Sequence, residues 1–141
     1  MLQKEVAERI IAKPPQMSLL ALSVQFYSQA ELIANVGRDN FWPAPTVDSA
    51  IIRLDTNQSY FKKILEKKSR VLGNEKDFFR LLKFGFSAKR KMLKNNLAAG
   101  LQIPQDEIEK ILIKHKFNPK ARAQELSLDD WMVLYKNIIL K

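Results

Sequence analysis

The chain has 141 residues, 46% of them hydrophobic, and 24 Lys and Arg against 15 Asp and Glu give a formal net charge of +9. With no cysteine and the single histidine His115, disulfides and thiolate metal sites are excluded, no metal site is expected, and a reducing compartment fits. No apolar run approaches the ~20 residues that span a bilayer, and an N-terminus carrying Lys4, Glu5 and Glu8 has no leader pattern, so a soluble cytoplasmic protein with no membrane partner is expected.

Met1 to Lys13 places Leu2, Val6, Ala7 and Ile10 at helical spacing and stops at Pro14-Pro15, which cannot continue a helix. Ser18 to Val36 is apolar and ambiguous. Its centre, Leu19 to Tyr27, reads as a buried strand, and Gln29 to Ala34 has helical or mixed character. Gly37-Arg-Asp-Asn40 reads as a turn. After it, Phe41-Trp-Pro-Ala-Pro-Thr-Val-Asp-Ser49 sets two aromatics on a stiff shelf, because each proline fixes its own φ and drives the preceding residue toward extended geometry. A strand follows, with Val47, Ser49, Ile51 and Arg53 on one side and Asp48, Ala50, Ile52 and Leu54 on the other. An aromatic held at the head of a strand suits stacking on a flat ligand such as a nucleobase; it equally suits the cap of a small core. Asp48 reads as structural.

Asp55-Thr-Asn-Gln-Ser59 reads as a linker, and everything beyond it as helix. A short basic helix is expected from Tyr60 to Lys68. The main helix starts near Gly73-Asn74 and runs from about Glu75 to Ala99, with Gly100 as its stop. On that helix Phe79, Leu82, Phe86, Leu93 and Leu97 fall within roughly 60°, and Arg80, Lys83, Arg90, Lys91 and Lys94 on an adjacent arc of roughly 100°. Pro104 opens the next helix, with Asp106 and Glu107 at its positive end and Ile108, Ile111 and Leu112 inward. Asn118-Pro119 begins a turn with Lys120 and Arg122. Ser127 and Asp130 form a capping box for a last helix with Trp131, Leu134, Tyr135 and Ile138 inside.

The charge is unevenly placed. Residues 1–55 hold five Lys and Arg against six Asp and Glu, whereas residues 56–141 hold nineteen against nine. That asymmetry fits a surface meeting a polyanion, or simply a basic helical domain.

Four segments carry a resemblance. The Phe41 to Ser49 stretch resembles the Phe-x-Pro-x-Pro-x-Val-Asp-Ser motif of the rRNA adenine-N6,N6-dimethyltransferases. Met1-Leu-Gln-Lys-Glu-Val-Ala-Glu-Arg9 is similar to the segment after that family's catalytic loop. Phe86-Ser-Ala-Lys-Arg-Lys-Met-Leu-Lys-Asn-Asn-Leu97 is similar to its Phe-x-x-x-Arg-Lys-x-(Leu/Ile)-x-Asn-x-Leu helix, and Asn118-Pro-Lys-Ala-Arg-Ala-Gln-Glu-Leu-Ser127 to its Asp-Pro-x-x-Arg-Ala-Glu-x-Leu-Ser turn. The resemblance implies S-adenosylmethionine as methyl donor and small-subunit ribosomal RNA, in a 30S-type pre-ribosomal subunit, as partner.

The glycine-rich loop and the Asn-(Leu/Ile)-Pro-Tyr loop expected of that family are absent, since Gly37, Gly73, Gly85 and Gly100 form no cluster. The expectation is therefore a C-terminal half of such an enzyme, inactive alone, lacking the cofactor-binding motifs and partnered by a missing N-terminal half. Its fold class is expected to be α+β, with the last strands of a Rossmann-like methyltransferase sheet as a remnant (residues 1–55), followed by an all-α C-terminal helical rRNA-binding domain (56–141). Carried over by the resemblance, Phe41 stacks on the extruded target adenine, and Lys89, Arg90, Lys91, Lys94 and Arg122 bind RNA. A stand-alone RNA-binding or ribosome-assembly module and a helix-turn-helix DNA binder are the alternatives.

Overall fold

The computed structural model describes residues 1–62 and 75–140, which fall into two compact units: one from residues 1–12 and 20–62, the other from 13–19 and 75–140.

In the first unit, β1 (Leu2–Gln3), β2 (Gln29–Val36) and β3 (Ser49–Asp55) form an antiparallel sheet in the order β1-β3-β2. Helix α1 (Lys4–Ile10) follows β1 directly and buries Ala7 and Ile10. Its C-terminal end leaves carbonyls without helical partners. The Gln25 side chain answers them, donating from Nε2 to the Ile10 and Ala12 carbonyls at 2.9 Å each. Leu32 pairs with Ile52 and Ala34 with Ile51, so Ile33 is bulged out of the ladder. Along β3, Ala50 is buried and Ile52 half-buried, while Ile51 and Arg53 are exposed, as alternation requires; Leu54, expected on the inner side, is exposed. Arg53 ion-pairs with Glu31 across the ladder.

Two expectations change here. Leu19–Tyr27 is helix α2, not a strand: Ala21, Leu22 and Phe26 are its buried residues, one helical face, and a short apolar run does not distinguish the two periods. Gln29–Val36 is a strand because pairing with β3 decides it, over a weak local preference. The fold class is corrected as well. The strands are not a remnant of last strands awaiting others: every strand finds its partner within the described residues, and two helices belong with the sheet in a small α+β fold.

The second unit packs α3 (Glu75–Gly85), α4 (Leu93–Leu101), α5 (Gln105–Lys114) and α6 (Leu128–Ile138). Phe78, Leu81, Leu82, Leu93, Leu97, Ile108, Leu112, Trp131, Leu134 and Tyr135 are fully buried; burying each such side chain contributes about 1.5–3 kcal/mol. Phe78 meets Tyr135 edge-on and Phe86 stacks on Trp131, with centroids 5.5 and 5.7 Å apart. Ser127 accepts from the Asp130 N–H at 3.2 Å, and Asp130 Oδ2 accepts from the Ser127 N–H at 2.8 Å, completing the expected capping box.

The single helix expected from Glu75 to Ala99 is two helices. Gly85 ends α3 in close contact with Trp131, where a Cβ would lie 2.2 Å from Cη2. Gly100 does not stop a helix. It lies inside α4, where its bare backbone admits Phe84, and the left-handed cap is Gln102 at φ 57°. Residues 60–62 are helical, and Ser59 Oγ accepts from the Lys62 N–H at 3.1 Å. The rest of the expected Tyr60 to Lys68 helix, and the Gly73-Asn74 start, lie outside the described residues.

Candidate nucleic-acid interface

The loop joining β2 to β3 carries the aromatic shelf. A 3-10 turn at Arg38–Asn40 leads into Phe41, which is extended (φ −120°, ψ 150°) and donates its N–H to the Arg38 carbonyl at 3.2 Å. Asp48 closes the neck of this loop. Its Oδ1 accepts from the Arg38 N–H at 3.0 Å, and its carbonyl accepts from the Lys4 N–H at 3.0 Å. The structural role expected for Asp48 is thus visible as two hydrogen bonds. Phe41 is half-buried, whereas Trp42 is 98% exposed. The shelf therefore offers one anchored ring and one ring in water.

The basic residues of the second unit do not share a helical face. Lys89, Arg90 and Lys91 are exposed in the turn between α3 and α4, which the Lys91 N–H closes onto the Ala88 carbonyl at 3.1 Å. Arg80 and Lys83 lie on α3, and Arg80 pairs with Asp77 at 3.3 Å. Lys94 lies on α4 and its Nζ meets Glu109 Oε2 at 2.8 Å, with its side chain only 17% exposed.

Arg122 is exposed in the turn after α5, where its N–H, not its guanidinium, donates to Glu125 Oε2 at 2.6 Å. Lys120 donates its N–H to Asn118 Oδ1 at 2.9 Å, and its side chain is exposed. The two basic turns are joined: the Leu93 N–H donates to the Ala121 carbonyl at 2.8 Å. This bond ties the backbone two residues after Lys91 to the backbone between Lys120 and Arg122, while Lys94 is largely committed to Glu109. Lys120 joins the candidate site from the structure alone; its only sequence signal was its place in the Asn118-Pro119 turn.

Beside the shelf, a cleft of about 430 Å³ is lined by Gln3, Lys4, Glu5, Glu8, Arg38, Thr46, Val47 and Asp48. Val47 is the one apolar side chain among these, so no flat apolar plate is available for a nucleoside ring, and Asp48 is already engaged by Arg38. The lining of this cleft, polar but for Val47, does not suit S-adenosylmethionine. Among the described residues no group of His, Cys, Asp and Glu could hold a metal ion, and no helix is long and apolar enough to cross a membrane.

A family model described as ribosomal RNA adenine dimethylase matches residues 1–140. The ribosomal RNA small subunit methyltransferase A of Nostoc punctiforme is 40% identical over 136 residues, covering 95% of this chain and 44% of that protein. The protein of the same name from Desulfitobacterium hafniense is 38% identical over 141 residues, covering 99% and 48%. The chain thus spans about half the length of the curated relatives it matches. Among solved structures, a dimethyladenosine transferase from Plasmodium falciparum superposes with a TM-score of 0.70 at 25% identity, over 96% of this chain and 55% of that one. The 23S rRNA methyltransferase ErmE superposes with a TM-score of 0.67 at 20% identity, a likeness of fold, over 96% and 52%.

These matches correct several expectations. The family model is met from residue 1 to residue 140, so the family assignment attaches to the whole of this chain rather than to a C-terminal half only. Against the expectation of a fragment, inactive alone and partnered by a missing N-terminal half, the family model runs through residues 1–140 of this chain. The expected absence of cofactor-binding motifs is corrected too, because the spacing of four glycines does not decide donor binding in a chain matched throughout to a methyltransferase family.

Proposed function

This chain belongs to the ribosomal RNA adenine dimethylase family, and from that premise we propose that it works in the methylation of adenine N6 groups in small-subunit ribosomal RNA, with S-adenosylmethionine as methyl source. Residues 1–55 serve the catalytic part and residues 56–141 dock the RNA. The observation that carries the docking half of this reading is the Leu93–Ala121 hydrogen bond, which sets the Lys89-Arg90-Lys91 turn against the Lys120–Arg122 turn. Five exposed cations on adjoining turns suit the closely spaced phosphates of a folded RNA. Lys94 adds to the same surface mainly through its stem, since Glu109 holds its ammonium.

The chemistry asks for positioning above all. The lone pair of an adenine N6 amine is delocalised into the ring, so the amine is a weak nucleophile, and inside a helix it is also out of reach. The target base must leave its stack and be held in one orientation. Phe41, anchored by its own N–H and by the Asp48 neck, is the ring on which an extruded adenine stacks. Such a contact is worth about 1–3 kcal/mol per base. The cations supply affinity and register; the shelf supplies orientation.

Two measurements separate these roles. Arg90→Glu with Lys91→Glu is expected to leave the far-ultraviolet circular dichroism unchanged, to weaken binding of a small-subunit rRNA hairpin, and to flatten log K against log salt by about 1.4–1.8. Unchanged binding, or tighter binding to duplex DNA than to the hairpin, refutes the docking surface. Phe41→Ala is expected to leave hairpin affinity within about twofold and to lower methyl transfer roughly 5- to 150-fold, the range set by one stacked base. Unaltered transfer in an active preparation removes Phe41 from the site.

A further inference from the structure

We propose that Asn96 is a positioning residue for RNA binding: a buried side-chain amide that fixes the Lys89-Arg90-Lys91 turn in the one conformation it presents to phosphate. This rests on the docking role of that turn.

Asn96 sits inside α4 at 4% exposure. A primary amide in such a place is unfavourable unless its protons are used. Both are: Nδ2 donates to the Gly85 carbonyl at 2.7 Å and to the Ala88 carbonyl at 3.0 Å. Gly85 is the last residue of α3, whose final carbonyls have no helical donors. Ala88 opens the turn that the Lys91 N–H closes, so Lys89 and Arg90 are its two central residues. One nitrogen therefore spans the start and the middle of the connection that carries all three cations.

The surroundings narrow what the amide does. The end of α3 is already fixed by Gly85 against Trp131 and by Phe86 stacked on the same indole. The far side of the turn is fixed by Leu93 on Ala121. What lies between is held by the Ser87 N–H on the Phe84 carbonyl, by the Lys91 N–H on the Ala88 carbonyl and, from within the fold, by Asn96 on that same Ala88 carbonyl. An apolar residue would fill the same space and leave two carbonyls to recruit water. The turn would then sample several shapes, and RNA would have to select one of them, which lowers affinity without removing any charge. Neither a carboxylate nor a hydroxyl supplies two donors.

The test uses the full chain and a small-subunit rRNA hairpin, well below the thermal transition. Asn96→Ala is expected to weaken binding about 5- to 20-fold and to flatten the salt dependence, although no charge has been removed. In a Lys89→Ala/Arg90→Ala/Lys91→Ala background the same change is expected to alter affinity by less than about twofold, because the cations it positions are gone. Ile138→Ala, which destabilises the last helix and touches none of these atoms, is expected to leave both affinity and slope unchanged. Amide exchange at Lys91 is expected to accelerate in Asn96→Ala without any RNA present.

A lowered melting temperature with unchanged affinity and slope overturns the inference, as do effects that simply multiply in the cycle. If Asn96→Ala does not fold, Asn96→Ser, which keeps one donor, is expected to fall between; a serine variant equal to wild type in affinity and in Lys91 exchange also overturns it. Failure of the docking reading shows differently: Lys89→Ala/Arg90→Ala/Lys91→Ala alone then leaves RNA binding intact, while accelerated Lys91 exchange still reports what Asn96 holds.

Discussion

Gly85→Ala asks whether the end of α3 is set by room rather than by backbone freedom. No glycine among the described residues has a positive φ, so alanine meets no conformational penalty at position 85. The obstacle is steric. An ideal Cβ there lies 2.2 Å from Trp131 Cη2, 3.1 Å from Trp131 Cζ3 and 3.2 Å from Leu93 Cδ1, against an optimal carbon–carbon separation of about 3.5–4.0 Å. The indole would have to retreat by more than an ångström. It is fully buried and stacked on Phe86, and Leu93 is fully buried too, so neither neighbour is a loose chain end.

Forcing a methyl group into such a site costs about 1–3 kcal/mol, and the gain in helix propensity offsets at most about 1 kcal/mol of it. A 2.2 Å approach to a buried ring puts the cost at the upper end, so about 2 kcal/mol remains after that offset; at about 4–8 °C per kcal/mol for a unit of this size, the melting temperature followed by circular dichroism at 222 nm should fall by roughly 8–16 °C. A variant as stable as wild type, or more stable, would mean that Trp131 does not close on Gly85, and the account of why the long helix breaks would go with it.

Two further outcomes follow from the helical unit. Burial first, and the negative charge of Asp77 second, raise the Tyr135 phenol above its ordinary pKa of 10.0. The folded state therefore holds this proton more tightly than the unfolded chain. The stabilisation is complete below about pH 10 and is lost as pH climbs through the native pKa. Tyr135→Phe should flatten the alkaline fall in melting temperature between pH 9 and 11, and an unaltered fall assigns that limb to other groups. Gln102 holds a left-handed φ of 57°; Gln102→Gly is expected to stabilise by about 0.5–1 kcal/mol in a urea titration, and a loss of stability would show that the Gln102 side chain outweighs its backbone strain.

The parts legible in the sequence are those whose cause is local. Ser127 and Asp130 cap α6 because their atoms are three residues apart, and Pro104 precedes α5 because it has no N–H to lose. The alternation of β3 was legible for the same reason. What escaped was decided at a distance. Nothing near Gly85 announces Trp131, forty-six positions later, as the ring that fills its missing side chain. Uninterrupted periodicity from Phe79 to Leu97 looked like one helix because two helices meeting at a tight turn can preserve the spacing of their buried residues.

The candidate site divides along the same line. The residue types at Lys89, Arg90, Lys91 and Arg122 were readable as a basic footprint, but their assembly was not. It depends on a hydrogen bond between Leu93 and Ala121, and on Asn96, whose amide reads in sequence as one more polar residue on a basic helix. The commitment of Lys94 to Glu109 depends on packing between α4 and α5. Backbone and buried polar contacts of this kind leave no periodic trace.

The chain has two tryptophans, and they differ as far as two indoles can: Trp42 is 98% exposed and Trp131 is fully buried. One belongs to each compact unit. Emission from Trp131 will shift to the red when the helices come apart, while iodide or a stacked nucleobase will dim Trp42 with the helices still folded. A Trp42→Phe variant isolates the first signal, and subtracting it from the wild-type spectrum isolates the second. The polypeptide thus comes with one optical gauge of helix unfolding and one of shelf occupancy, and no dye need be attached to read them apart.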